Sequence, residues 1–339
     1  MRVLLVSYAF APSIGGVETA SLILATELRR RGHEVAVATA TQVASSPAFD
    51  YPVHYRPSPG QLVALHRWSD LVLHNGYSLR FAWPLLLVRR PWVIVHASDF
   101  RPGLLRRLIA RTARHISVSS DVARTVPVPS TVVANAYRTD VFSKRNEGAR
   151  RYRFGFVGRL VSDKGAAHLL EALARLTGAG EFARCAIVGA GPEEERLRMQ
   201  ARTLGLEERV DFLGVRREAA LAAILNEIDC LVVPSIWNEP FGIVALEGIA
   251  CGCVVVGSQG GGLKDAIGPC GLTYPNGDVS ALAAALQRIA DEPDLSIALR
   301  KDAPGHLARH TPQAMGDAYM QIVAEAIGTR KVHGIGPLG

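Results

Sequence analysis

Glu239 and Glu247 stand on either side of a Pro-Phe-Gly step in the stretch Pro234-Ser-Ile-Trp-Asn-Glu-Pro-Phe-Gly-Ile-Val-Ala-Leu-Glu-Gly-Ile-Ala-Cys-Gly252. Leu231-Val-Val-Pro before them reads as a strand, Ser235 to Glu239 as a loop, and Phe241 to Ala250 as a helix that opens at Pro240. The first amides of a helix lack intrahelical acceptors and carry a partial positive charge. The N–H groups of Phe241, Gly242 and Ile243 therefore form an anion site, and Gly242 allows a close approach. Glu247 falls about 7 Å further along the axis at ~1.5 Å per residue, on the side of Ile243. Its carboxylate suits a diol lying beyond the anion, while Glu239 sits on the anion's other side. A capped surface helix with two solvated acids fits the same spacing, so this stretch alone leaves both readings open.

A second stretch narrows the choice. Val157-Gly-Arg159-Leu-Val-Ser-Asp-Lys164-Gly puts two cations in a loop leaving a strand, the edge at which open α/β sheets bind ligands. Arg159 can grip oxygens in a bidentate manner, and Lys164 acts as a mobile point charge. Two cations, a helix start and two acids match the diphosphate, ribose and sugar of a sugar nucleotide. Gly189-Ala-Gly191-Pro and Gly260-Gly-Gly262 are further glycine turns, each consistent with a plain loop or with a backbone approach to ligand.

These loops need strands and helices to hold them, and both halves of the chain alternate between the two. Arg2-Val-Leu-Leu-Val-Ser-Tyr is a buried strand, Val17 to Arg31 an amphipathic helix closed by Gly32, and Val35-Ala-Val-Ala-Thr the next strand. Leu71-Val-Leu-His, Trp92-Val-Ile-Val-His and His115-Ile-Ser-Val-Ser continue the series. The polar stretch near Asn146 to Arg150 reads as a linker, after which the alternation restarts at Phe154-Gly-Phe-Val-Gly. The expected fold class is α/β, with two doubly wound Rossmann-like domains facing across a cleft. Residues 1–148 form the first, 149–312 the second, 313–330 a helix returning to the first, and 331–339 a tail.

Composition limits the rest. Of 339 residues, 48% are hydrophobic and 20% charged, with a formal charge of +7. Residues 1–150 carry 19 Lys+Arg against 9 Asp+Glu, so the first half is the one that seeks an anionic surface. Nucleic acid fits the charge, but no aromatic or recognition-helix pattern accompanies it. The five cysteines all lie in the second half without metal-site spacing and read as reduced, buried thiols. No signal peptide opens the chain and no apolar run nears the ~20 residues of a membrane span, so the expected location is the cytoplasm. Leu104, Leu105, Leu108 and Ile109 share a helix face ringed by Arg106, Arg107, Arg111 and Arg114. This segment fits either a sheet-covering helix or peripheral docking on the anionic inner face of the plasma membrane.

Taken in order, Phe156-Val-Gly-Arg-Leu…Lys164-Gly, Val188-Gly-Ala-Gly-Pro, Val210-Asp-Phe-Leu-Gly-Val215 and Glu239-x7-Glu247 resemble the retaining glycosyltransferases of family 4, group 1, with the GT-B fold. Gly15-Gly16-Val17-Glu18, His96 and Asn135…Phe142 agree, and the resemblance covers roughly residues 1–330. It implies that Gly158, Arg159 and Lys164 bind the donor diphosphate with the amides of Phe241, Gly242 and Ile243. It also implies that Glu247 holds the ribose, that the backbone at Val215 meets the base, and that the Gly16 amide approaches the distal phosphate. Glu239 and His96 would contact the transferred sugar. His96, Arg159, Lys164 and Glu239 are thus the implied catalytic set, with no metal and no cofactor beyond a UDP- or GDP-linked co-substrate.

The implied reaction moves a hexose-type sugar to a hydroxyl acceptor, a sugar or lipid-linked sugar, in cell-surface polysaccharide or glycolipid synthesis. The acceptor would attack from the leaving-group face, retaining configuration, and a diphosphate oxygen would take its proton. The chain departs from the family pattern at Lys264-Asp265, where Pro-Glu is usual, at Asn135-Ala-Tyr-Arg138, which lacks the usual acid, and at His96-Ala-Ser-Asp99, which lacks a glycine. A sugar-nucleotide epimerase of related fold and a non-catalytic sugar-nucleotide binder are the rival readings. A nicotinamide dehydrogenase is excluded because the first βα turn has no Gly-x-Gly-x-x-Gly followed by a strand-end acid.

Overall fold

The computed structural model describes residues 1–13, 15–43, 48–98, 112–145, 148, 150–176 and 184–332. The basic segment from Leu104 to Arg111, Asp99, and the linker residues Asn146, Glu147 and Ala149 lie outside them. The chain forms two compact units, one of Met1–Ala136 joined by the residues from Pro312 onward, the other of Tyr137–Thr311.

In the first unit β1 (Arg2–Ser7), β2 (Glu34–Thr39), β3 (Val53–Tyr55), β4 (Leu71–Asn75), β5 (Trp92–His96), β6 (Arg114–Ser117) and β7 (Thr131–Val132) form one sheet in the order β3-β2-β1-β4-β5-β6-β7. All of its pairings are parallel. A parallel sheet is covered on both faces, and Val3, Leu4, Leu5 and Val6 of β1 are accordingly all buried. Helix α1 (Gly16–Arg30) buries Ala20, Ile23, Leu24 and Leu28, and α2 (Pro59–Trp68) is closed at its start by a capping box between Ser58 and Gln61. The strand β3 and the helix α2 were not among the elements expected from sequence; β3 is only three residues long. The final helix, Pro312–Val332, buries Met315, Tyr319, Ile322 and Val323 on one stripe. Arg31 at the end of α1 pairs with Asp317 at 2.8 Å and donates to the Gln313 carbonyl at 2.9 Å, which ties that helix to this unit.

The second unit holds β8 (Tyr152–Val157), β9 (Cys185–Val188), β10 (Val210–Gly214), β11 (Ile228–Val233), β12 (Val254–Ser258) and β13 (Gly271–Tyr274). Their order is β10-β9-β8-β11-β12-β13, again all parallel. The strand order reverses between β8 and β11, the topological switch point of a doubly wound sheet. Phe154, Phe156, Ile187, Cys230, Val232 and Val256 form the centre of its core. All five cysteines are free and buried.

The division between units falls at Ala136/Tyr137, ahead of the expected boundary after residue 148. Residues 137–145 are bound to the second unit: Tyr137 N–H donates to the His310 carbonyl at 3.2 Å, and Asn226 accepts from Arg145 N–H at 2.6 Å and donates to the Ser143 carbonyl at 3.0 Å. Polar composition marked a change of surface there, whereas hydrogen bonding set the division earlier. Among the described residues no helix is long and apolar enough to cross a membrane.

Candidate active site

Because β8 pairs directly with β11 (Phe156 opposite Val232), the loops leaving their C-terminal ends emerge side by side. The first loop, from Gly158 to Gly165, carries Arg159 and Lys164; the second, from Pro234 to Gly242, carries Glu239. The first is held by Gly158 N–H on the Val188 carbonyl and Leu160 N–H on the Ala190 carbonyl, both at 3.0 Å. The glycines of the Gly189-Ala-Gly191 turn permit this: a Cβ at Gly189 would lie 1.8 Å from the Gly158 carbonyl oxygen, and one at Gly191 2.2 Å from that of Leu160. That turn therefore serves the packing of the cation loop. Gly165, at φ +73°, lets the same loop pass the Pro234 carbonyl oxygen, where a Cβ would stand at 1.9 Å. Ile236 N–H then closes the two loops together on the Asp163 carbonyl at 2.9 Å.

Within this frame Lys164 Nζ forms an ion pair with Glu239 Oε1. Ser235 Oγ donates to the same carboxylate oxygen at 2.7 Å, and Lys164 Nζ lies 5.2 Å from the centre of the Trp237 ring. Glu239 is only 8% exposed, and Lys164 and Ser235 supply the polar partners that its burial requires. Its backbone is clamped as well. The Glu239 carbonyl accepts from Gly262 N–H at 2.7 Å, and a Cβ at Gly261 (φ +73°) would lie 2.2 Å from that oxygen. Asn276 accepts from Gly260 N–H at 2.7 Å and donates to the carbonyls of Ile236 and Trp237. The Gly260-Gly-Gly262 segment thus supports the Glu239 loop. Arg159 is exposed and its side chain makes no hydrogen bond or ion pair with the described residues, so the structure does not join it to Lys164 and Glu239.

The helix after the second loop, α3 (Ile243–Ala250), begins later than expected. Gly242 is its cap in the left-handed region at φ +96°, so Pro240 and Phe241 precede the helix and Phe241 is packed at 2% exposure. The first-turn amides are then those of Ile243 and Val244, since Ala245 N–H donates to the Gly242 carbonyl at 3.0 Å. The helix thus starts two residues later than the expected Phe241, with Phe241 and Gly242 before it and Ile243 as its first residue. Glu247 lies one turn on from Ile243 and is half-buried. Burial pushes its carboxyl up to about 7, with the charge of Arg138 acting in the opposite direction.

Val215 follows β10, is 48% exposed, and comes just after Gly214, whose φ of +67° bends the strand end away. Lys264 and Asp265 lie in the short helix Leu263–Ile267. Arg138, where the family acid is missing, pairs with Asp140 at 2.6 Å and with Glu218 at 3.0 Å.

Gly16 and His96 belong to the first unit. Gly16 opens α1, and a Cβ there would meet nothing within 4 Å among the described residues. His96 ends β5 at 3% exposure, and its Nε2 lies 2.9 Å from Nδ1 of His115 on β6. Burial first, and His115 second, pull His96 down to about 3, so its ring is neutral at physiological pH. Sequence reading singles out neither Ser235, Trp237, Asn276 nor His115 for the site. Only Ser235, four residues before Glu239, offers a local signal.

Two parallel α/β units, the second with a cation–carboxylate pair at its switch point, define a protein of the GT-B class. The family model of the group 1 glycosyl transferases matches residues 138–306. The phosphatidyl-myo-inositol mannosyltransferase of Mycobacterium leprae is 33% identical over 314 residues, 80% of this chain and 83% of that protein. The D-inositol 3-phosphate glycosyltransferase of Corynebacterium jeikeium is 39% identical over 180 residues, which are 50% of this chain and 43% of that relative's length. Among solved structures, Anabaena HepE in complex with UDP and glucose shares the fold at a TM-score of 0.78 and 21% identity, over 96% of this chain and 100% of that one. The chain belongs to the group 1 glycosyltransferases, the GT-B family-4 type named from its motifs.

Proposed function

We propose that the chain is a retaining, metal-independent hexosyltransferase that moves a hexose-type sugar from a UDP- or GDP-sugar to a hydroxyl acceptor in polysaccharide or glycolipid synthesis. The observation that carries this reading is the buried Glu239 held by Lys164 and Ser235 beside the start of α3. A diphosphate arriving at the amides of Ile243 and Val244 would compete with Glu239 for Lys164. The lysine would then stabilise the departing charge and Glu239 would be released toward the sugar. Arg159, exposed at the same loop, would close on the diphosphate from solvent, with Gly158 leaving room for it. Glu247 would accept from the ribose hydroxyls, and the backbone at Val215 would meet the base.

In the first unit, the open space above Gly16 suits the distal phosphate, and a neutral His96 suits a hydroxyl or carbonyl of the transferred sugar near the reacting carbon. HepE was solved with UDP and glucose, which supports a nucleotide-sugar donor, and the Mycobacterium leprae relative is named as a phosphatidyl-myo-inositol mannosyltransferase, which supports a lipid-linked acceptor. An excess of cations in residues 1–150 favours an anionic membrane surface as the place of work. The test is thermal stabilisation by UDP- and GDP-sugars, since a ligand that binds only the folded chain raises its melting point. One donor series should stabilise the chain and be consumed when an acceptor is added. Stabilisation without any consumption would favour the non-catalytic binder; consumption of donor without acceptor, giving an isomerised sugar, would favour the epimerase.

A further inference from the structure

We infer that His115 is a positioning residue for His96, holding its ring and deciding which of its nitrogens carries the proton. The inference rests on the reading above that His96 contacts the transferred sugar.

In the register of β5 with β6, Ile94 lies opposite His115 and His96 opposite Ser117. Side chains of registered parallel partners share a face and recur every second residue, so Ile94, His96, His115 and Ser117 all project to the same side. His115 is therefore the diagonal neighbour of His96. The two rings meet edge to edge, with planes within 15° of parallel, centres 5.2 Å apart and His96 Nε2 facing His115 Nδ1 at 2.9 Å. A neutral imidazole has one N–H and one bare nitrogen, so a contact of this length joins a donor to an acceptor and holds a single proton. Two imidazolium rings would oppose two N–H groups along the same line.

The consequence for His96 is direct. If Nε2 donates to His115, the Nδ1 of His96 is a bare acceptor; if Nε2 accepts, Nδ1 carries the hydrogen. The state of His115 Nδ1 thus sets what His96 presents from its other nitrogen. Both rings are buried, at 3% and 5% exposure, so bulk water does not substitute for the contact. The in-line contact fixes the direction of the ring, and the shared proton fixes the tautomer.

The experiment uses the full chain labelled with 15N-histidine and the donor sugar found by thermal shift. Long-range proton–nitrogen spectra assign the tautomer of each ring. His96 should occupy one neutral tautomer, and His115→Leu should change the balance between its two tautomers, read from its nitrogen shifts. In the same variant kcat for donor turnover should fall about tenfold, as for loss of other orienting partners, with KM within about twofold. His115→Asn, whose amide reaches the place of Nδ1, should regain most of the lost kcat and the single tautomer. On a His96→Ala background, His115→Leu should cost nothing further in kcat.

An unchanged His96 tautomer in His115→Leu would overturn the inference, as would equal kcat losses in the Leu and Asn variants. Normal turnover in His96→Ala would instead remove the proposed contact of His96 with the sugar, and the spectra would still decide whether His115 sets its tautomer.

Discussion

Lys164 Nζ and Glu239 Oε1, 75 residues apart in the chain, meet as an ion pair between neighbouring strand-end loops, with Ser235 Oγ on the same oxygen at 2.7 Å. On the proposed function, an incoming diphosphate would take over this cation from the buried carboxylate without the protein first creating a charge.

Lys164→Ala should therefore have two separable effects. Donor turnover should drop by about 10²–10³-fold through loss of charge stabilisation. Stability should drop too, by up to about 3 kcal/mol, because Glu239 is left buried with only Ser235. Adding Glu239→Gln should recover stability, read as the urea midpoint, and leave turnover low. A folded Lys164→Ala protein with normal turnover would remove the proposed role.

Arg159→Ala offers the cleaner comparison, since its side chain is exposed and makes no hydrogen bond or ion pair with the described residues of its unit. Its stability from urea unfolding should stay within about 0.5 kcal/mol of the parent. Turnover should still fall at least about tenfold, which steady-state kinetics on the stabilising donor would measure.

Glu247, pushed up to about 7 by burial, should give nucleotide binding a pH dependence. An ionised carboxylate accepts from a ribose diol better than a neutral acid, so affinity for UDP or GDP should rise between about pH 6 and pH 8, around that value. The sign for stability is opposite. The folded state holds this proton more tightly than the unfolded chain, so the contribution is complete below the ordinary value of 4.5 and is lost as pH rises through about 7. Titration calorimetry across the range checks the binding, and Glu247→Gln should bind weakly with a flat profile.

Buried histidines should make the first unit sensitive to acid. His74 is fully buried on β4 with neither ring nitrogen hydrogen-bonded among the described residues, and burial pulls it down to about 3. His66 is shifted the same way by burial. The unfolded chain binds these protons first, so the contribution is complete above the ordinary histidine range near 6.5 and is lost as pH falls toward 3. At about pH 5 the loss should be about 2 kcal/mol for His74. Urea midpoints at about pH 7 and pH 5 measure it, and His74→Phe should narrow the difference between them.

Two glycines should respond in opposite ways. Gly165→Ala forces a side chain against the Pro234 carbonyl at a left-handed φ and should cost at least about 2 kcal/mol. Gly16→Ala meets open space and should leave stability nearly unchanged while weakening donor turnover, provided the distal phosphate approaches there. Thermal melts set beside kinetics distinguish the two.

Much of this protein could be read from the order of its residues. Short apolar runs separated by glycines and amphipathic stretches determined two parallel α/β units, because strands buried on both faces leave no polar alternation. The meeting of the Lys164 and Glu239 loops was legible for a related reason: a parallel sheet brings its C-terminal loops to one edge, although Arg159 is not joined to that pair. Tertiary structure decided what local pattern could not. Gly242 takes a left-handed conformation against Leu263, which delays α3 to Ile243; the Asn226 side chain draws residues 143–145 into the second unit; and His115 meets His96 only through strand register. Each depends on residues distant in the chain, and contacts of that kind leave no period or spacing in the sequence.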